Sequence, residues 1–245
     1  MLPNLLIIGA QKCGTTWLHS ALSKSDHFWG SKPKELTFWN KRDIDIERYK
    51  VFFKDAPTDK KFIFEATPHY FRLPKAKIDV AARIREGLGD IPLILILRNP
   101  VDRYLSAHTH HMMKSRIPYS PVIESPSDDF GMMSLGLYHA ILKHYKSFFS
   151  KIHIYLYDDL ISDPVDFVNR VFSDLSLHSD LEKTDLNFRV NDKNKKMARL
   201  KSSGGFSGDL PVLSEPAKAK LVDFYRKDVW NLYHEFDLAC SHWVS

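Results

Sequence analysis

Ten consecutive residues near the start of the chain, Gly9-Ala10-Gln11-Lys12-Cys13-Gly14-Thr15-Thr16-Trp17-Leu18, place two glycines, a lysine and two hydroxyls between an apolar run and a helical pattern. In such a turn, successive backbone N–H groups and a helix N-terminus cradle an anion, and Lys12 adds a positive charge beside it. A second basic position follows another apolar run, in Arg98-Asn99-Pro100-Val101-Asp102-Arg103-Tyr104-Leu105-Ser106. Arg98 offers a bidentate fork for a phosphate. Pro100 fits the first turn of a helix, on which Ser106 faces back towards the arginine. The residues able to take a proton from an attacking group are Glu35, Glu65, His69, His108 and His110.

The first turn departs from a nucleoside triphosphate loop where chemistry is decided. That loop carries Lys and then Ser/Thr directly after its second glycine, to reach the β- and γ-phosphates and to bind Mg²⁺. Here Thr15 holds the lysine position and the lysine lies earlier, at Lys12. A kinase or GTPase would lack a central part. Lys12 instead lies beside the anion, where it neutralises a bridging or leaving-group oxygen without a metal. That suits transfer of a sulfuryl group, which carries fewer charges than a phosphoryl group. His108, His110 and His111 do not share one helical face, and no nearby Cys or acid completes a zinc site, so no metal is expected. Two metal-free anion positions fit a nucleoside with phosphates at both ends.

The elements that must hold these residues are legible from the apolar pattern. Leu5-Leu6-Ile7-Ile8 and Leu93-Ile94-Leu95-Ile96-Leu97 are uninterrupted apolar runs, as in strands covered on both faces of a parallel sheet. Phe62-Ile63-Phe64 and the run from Ile152 to Tyr157 read as two more strands. Helices are expected at about 14–24, 75–87, 101–114, 134–148, 164–175 and 215–235. Strand and helix alternate, which implies an α/β doubly wound fold, a P-loop-like three-layer α/β/α arrangement around a central parallel sheet. Ligands bind there at the carboxyl ends of the strands, and Lys12, Glu65 and Arg98 all fall just after strands. The stretches 118–129 and 201–209 read as mobile surface loops. With no repeat and no low-complexity linker, 1–245 reads as a single domain.

Composition narrows the class. The chain has 245 residues, 44% hydrophobic and 13% aromatic, enough for a substantial core, which excludes disordered, mucin-like and collagen-like classes. No apolar run spans a bilayer. The chain passes from Met1-Leu2-Pro3-Asn4 straight into an apolar strand, leaving no space for a leader, so a soluble protein is expected. Two cysteines, Cys13 and Cys240, cannot form a disulfide framework and favour a reducing, cytoplasmic compartment, or a lumenal one if an N-terminal anchor has been removed. The net charge of +5 suits an anionic ligand; scattered acids among 12 histidines argue against nucleic acid as a partner.

With these residues in view, the chain resembles the sulfotransferase superfamily that uses 3′-phosphoadenosine 5′-phosphosulfate (PAPS) and releases 3′-phosphoadenosine 5′-phosphate (PAP). Gly9 to Leu18 looks like the 5′-phosphosulfate loop of that family, and Leu93 to Ser106 like its 3′-phosphate strand and helix. Gly136-Leu137-Tyr138, Asp158-Asp159-Leu160 and the terminal helix are supporting likenesses. The resemblance implies cofactor contacts from Gln11, Lys12, Cys13, Gly14, Thr15, Thr16 and Trp17 at the 5′ end, and from Arg98 and Ser106 at the 3′-phosphate. It also carries over Lys195 and Lys196, from a basic run that resembles the loop closing on the cofactor.

The catalytic assignments implied are Lys12 for the leaving group and Glu35, Glu65 or His110 for the base. Lys32-Pro33-Lys34-Glu35-Leu36-Thr37-Phe38-Trp39 is similar to the Glu-x-x-Phe-Phe segment of glucosaminyl sulfotransferases, whose glutamate is the base, with Trp39 replacing the second aromatic. Glu65-Ala66-Thr67-Pro68-His69-Tyr70-Phe71 resembles their Glu-Lys-Thr-Pro-x-Tyr-Phe segment, with Ala66 in place of the lysine. Glu65 is then a supporting carboxylate, a substrate contact or the base. His110 resembles a histidine of the N-sulfotransferase helix. The implied acceptor is a hydroxyl or amine on a carbohydrate or a small-molecule or lipid alcohol, with Trp29, Phe38, Trp39, Tyr70 and Phe71 available to line a site. Two rival readings are a P-loop-like small-molecule kinase and a non-catalytic binder of PAPS or anionic sugars.

Overall fold

The structure is a computed structural model, and it describes residues 1–190, 197 and 208–245. Lys195 and Lys196, and 201–207 of the second expected loop, lie outside the described residues. In chain order the elements are β1 (Leu5–Gly9), α1 (Thr15–Leu22), β2 (Phe28–Gly30), α2 (Ile46–Val51), β3 (Phe62–Ala66), α3 (Val80–Leu88), β4 (Leu93–Leu97) and α4 (Pro100–Met112). There follow β5 (Val122–Ile123), α5 (Tyr138–Lys146), β6 (Ile152–Leu156), α6 (Tyr157–Ser162), α7 (Pro164–Asp174), α8 (Lys183–Leu186), β7 (Val212–Leu213) and α9 (Glu215–Phe236). They fall into two compact units, the first comprising Met1–Arg98 and Ile141–Phe188, the second Asn99–Ala140 and Arg189–Ser245.

The first unit is the α/β sheet. Five parallel strands run in the order β2-β3-β1-β4-β6. β1 and β4 lie inside it and are buried end to end, which is why both are apolar without alternation. From β1 the chain goes first to one side, through β2 and β3, and later to the other, through β4 and β6. The strand order therefore reverses at β1, and the carboxyl ends of β1, β3 and β4 meet at that switch point. Backbone hydrogen bonds hold them there: Thr67 N–H donates to Ile7 O (3.1 Å), Phe71 N–H to Ile8 O (2.9 Å) and Ala10 N–H to Ile96 O (2.8 Å).

Most helix starts are closed by a side chain. Asp45 caps α2, Asp79 caps α3 and Asp163 caps α7. α1 differs: its N-cap is Gly14, no side chain caps it, and no acid occupies its first turn. Its first N–H groups are thereby left for another acceptor.

In the second unit, α4 starts as expected with Pro100 in its first turn behind the Asn99 cap, whose side chain accepts from Val101 N–H at 2.9 Å. Arg103 is fully buried and donates to the Met132 carbonyl, and Tyr225 of α9 donates to Met133 O (2.9 Å). Asp228 accepts the backbone N–H groups of His139 and Ala140 and so anchors the start of α5 to α9. The stretch 118–129 holds a short strand: β5 pairs in parallel with β7. Two residues of ladder hydrogen bonding are too short to register as an apolar pattern, so the reading of that stretch as wholly a mobile loop is corrected.

Candidate active site

The loop after β1 is built by backbone constraints. Gly14 sits at φ 92°, in the left-handed region, and a Cβ there would meet Leu160 Cδ2 at 2.9 Å and the Tyr157 ring at 3.1 Å. Lys12 also takes a left-handed φ of 70°, an uncommon and costly state for a side-chain-bearing residue that clusters at functional sites. Thr15 is buried at the helix start, and Thr16 opens the first turn beside it. The uncapped N-terminus of α1, a glycine with no space for a side chain and a lysine form a cradle for an anion.

Arg98 reaches the same place. Its guanidinium lies over the ring of Tyr157, 4.8 Å from the centroid, and that ring is the one that crowds Gly14. Tyr157, the first residue of α6, thus ties the loop after β1 to the arginine after β4. On the other side of the loop, Gln11 Nε2 is 3.1 Å from His69 Nε2, linking the loop to the segment after β3. Trp17 stacks on Phe188 with centroids 5.3 Å apart and planes 9° from parallel, and its indole N–H donates to Phe188 O (3.2 Å). Cys13 is buried beneath the loop, and neither cysteine forms a disulfide.

Glu35 lies on the segment between β2 and α2, half-exposed, with its carboxylate 2.7 Å from Lys34 Nζ. It too has a left-handed φ, 66°, as does Thr37 at 49°. Such a backbone persists only where its surroundings hold it, and the segment after β3 does so. Thr37 N–H donates to Thr67 Oγ1 (3.3 Å), Asn40 Nδ2 to His69 O (3.2 Å) and Trp39 N–H to Tyr70 Oη (3.4 Å). A cavity of about 380 Å³ lined by Phe38, Lys41, Asp45 and Arg48 lies beside the turn that follows Glu35.

Glu65 sits differently. It is 0% exposed, and burial pushes its carboxyl up to about 7, against partial relief from the hydroxyls of Tyr70 and Tyr49 and the charges of Lys34 and Lys41. His110 and Ser106 lie on α4 in the second unit, Ser106 buried and His110 partly so, with His110 ring-to-ring against His111 at 5.4 Å. Among the described residues, no group of three or more His, Cys, Asp or Glu is placed to hold a metal ion. Phe38, Trp39, Tyr70 and Phe71, read as site-lining aromatics, are buried; Phe38 and Trp39 pack on Tyr49, and Tyr70 hydrogen-bonds to the turn that carries Trp39. The pattern around them gave no sign of which face they would present.

Sequence reasoning missed three contributors. Tyr157 was assigned to the end of a strand, although its position after an apolar run beside two acids is also a helix start. Phe188 lies far from Trp17 in sequence, with nothing local to mark it. His19, on α1, lies near enough to Lys34 and Glu35 to feel both charges; burial first, then Lys34, push its imidazole down to about 4, so it is neutral near pH 7.

A family profile described as a sulfotransferase domain matches residues 2–204. The Dictyostelium discoideum membrane-associated sulfotransferase kil1 is 34% identical over 126 residues, 50% of this chain and 26% of its own. Human heparan sulfate glucosamine 3-O-sulfotransferase 3B1 is 28% identical over 248 residues, 92% of this chain and 61% of its own. The chain therefore spans about a quarter of the first relative's length and about three fifths of the second's. A crystal structure of a sulfotransferase from Alicyclobacillus acidocaldarius superposes over 100% of both chains with a TM-score of 0.76 at 23% identity.

Proposed function

The chain belongs to the sulfotransferase domain family, and from that premise we propose that it moves a sulfuryl group from PAPS to a hydroxyl or amine of a carbohydrate or small-molecule acceptor. The observation that carries this reading is the convergence of two cationic positions, Lys12 and Arg98, on one uncapped helix start, with Tyr157 between Gly14 and Arg98. The family match covers residues 2–204 and so reaches into both units; 1–245 is taken in this reading as one sulfotransferase domain.

The residues present fit PAPS. The loop accepts an anion because Gly14 leaves no side chain in the cradle and no side chain caps α1. When bound, PAPS supplies an activated sulfuryl group whose leaving group is a phosphate ester. The N–H groups of the α1 start and the ammonium of Lys12 hold the 5′ end and stabilise charge on the departing oxygen. Arg98 holds the 3′-phosphate, its orientation fixed by the Tyr157 ring. Trp17, with Phe188 behind it, offers a flat apolar face next to the loop. Glu35 takes the acceptor proton on its carboxylate, and Lys34 steadies that carboxylate until it does. Gln11, Cys13, Thr15 and Thr16 belong to the same cradle. Ser106 and His110 enter the reading from their place on α4 and from resemblance, Lys195 and Lys196 from resemblance.

The test is consumption of sulfur-labelled PAPS by the purified chain in EDTA, against a panel of sugar, phenol, alcohol and amine acceptors. Labelled product with at least one acceptor class and release of PAP are expected. Binding of PAPS that is never consumed with any acceptor would leave a non-catalytic binder instead.

A further inference from the structure

Under the turn that follows Glu35 lies a cluster of buried polar atoms that the transfer reaction leaves unused. Glu65 of β3 and Tyr49 of α2 are 0% exposed and Trp39 is 1% exposed. Both Glu65 carboxylate oxygens, Tyr49 Oη and Trp39 Nε1 lack a hydrogen bond of full geometry. Buried polar atoms of this kind are paired in nearly all folded proteins, so four together mark a network rather than a set of accidents. The hydroxyls of Tyr70 and Tyr49 both lie within range to act on the Glu65 carboxyl, and the Trp39 indole within range of Tyr49. The aromatic rings lock the geometry: Phe38 stacks on Tyr49 at 4.3 Å and 21°, and Trp39 meets Tyr49 edge-on at 5.2 Å and 71°.

Both routes out of this cluster lead to the turn Phe38–Asn40. Tyr70 Oη accepts the Trp39 backbone N–H, and Tyr49 packs on the Phe38 and Trp39 side chains. Three residues before that turn is Glu35, whose left-handed backbone needs support. We propose that Glu65 is a positioning residue: its buried carboxyl, acting through Tyr49, Tyr70 and Trp39, fixes the Phe38–Asn40 turn and so sets the backbone that presents Glu35. This deepens the sulfotransferase reading, on which the role of Glu35 as base rests.

A protonation step follows from the same arrangement. Protonated, Glu65 is neutral and donates through its own O–H; ionised, it accepts from both tyrosines and carries a buried charge. The groups that face it are Tyr49 from α2, Tyr70 from the segment after β3, and Lys34 and Lys41 from either side of the turn. The carboxyl changes state near neutral pH, so the hold on the turn changes there too.

The experiment is nitrogen-15 NMR of the full chain from pH 5 to pH 9, with the Trp39 indole assigned through Trp39→Phe. In the wild type, the Trp39 indole and the amides of Glu35 and Thr37 are expected to shift together with one midpoint of about 7. In Glu65→Gln, which keeps the shape and removes the proton, that common transition disappears while the rest of the spectrum stays folded. With labelled PAPS, the wild-type kcat changes by about tenfold across the same midpoint at constant KM for PAPS, and Glu65→Gln loses the step. Persistence of the common transition in Glu65→Gln, or flat Trp39 and Glu35 signals while the Glu65 carboxyl titrates, overturns the proposal. The NMR arm needs no turnover, so a chain that transfers nothing would sink the sulfotransferase reading and leave the coupling decided separately.

Discussion

Replacing Glu65 by Gln should make the protein more stable at pH 8 than the wild type, and the gain should vanish at low pH. The folded carboxyl is raised from its ordinary 4.5 to about 7, chiefly by burial. Below pH 4.5 the proton is on in both folded and unfolded chains, and the contribution of Glu65 to stability is fully present. Between 4.5 and 7 the unfolded chain ionises while the folded one keeps its proton, so stability is lost as pH rises, and above 7 the loss is complete. At about 1.4 kcal/mol per pH unit this amounts to about 3 kcal/mol for a side chain that is 0% exposed and so unscreened by solvent. His19 acts in the opposite sense, since its imidazole is pushed down to about 4 and stability is lost as pH falls from 6.5 to that value. The two slopes offset each other over much of the range, so the wild-type curve alone is uninformative. The difference between Glu65→Gln and wild type isolates one group. Urea unfolding of both proteins at pH 4.5, 6 and 8 should give a difference that grows by about 3 kcal/mol in favour of Gln. A difference that does not change with pH would refute the assignment of a buried, proton-holding carboxyl.

The loop and the base can be probed in the same way. Gly14→Ala should destabilise the chain by about 1–3 kcal/mol and weaken PAP binding, because the new methyl must occupy a left-handed φ of 92° and meet Leu160 at 2.9 Å; thermal melts and titration read both. Arg98→Lys keeps the charge but loses the fork and the planar stack over Tyr157, so PAP affinity measured by calorimetry should fall about tenfold. Glu35→Gln should lower kcat about 10²- to 10⁴-fold with PAP affinity unchanged, as measured with labelled PAPS.

The sheet was readable where residues are buried on both faces. Leu5 to Ile8 and Leu93 to Leu97 have no polar interruption because β1 and β4 are buried end to end with a paired strand on each edge, and the anion loop follows from backbone requirements that leave their mark in glycines. β2 was not readable: Phe28-Trp29-Gly30 is three residues long and acquires its conformation from pairing with β3. α5 begins at Tyr138 and not at 134, because Ser134–Gly136 closes a tighter 3-10 turn. In the site, Lys12 and Arg98 stood out because cations after strands are local signals. The partners that bring them together did not, since Tyr157 and Phe188 reach the loop only through tertiary structure. Glu65 illustrates the same limit: a carboxylate at a strand end looks available for catalysis, and only packing of Tyr49, Tyr70 and Trp39 around it shows that it is sealed.

The proposed function requires this chain to hold a nucleotide phosphorylated at both ends between the loop after β1 and Arg98. Calorimetric titration with PAP in EDTA tests it most directly, with wild type compared against Arg98→Ala and Lys12→Ala. Binding at about micromolar Kd by the wild type, lost in Arg98→Ala and weakened in Lys12→Ala, is the expected result. No binding by a folded wild-type protein, or binding of ATP only when Mg²⁺ is added, would contradict the account and favour a kinase.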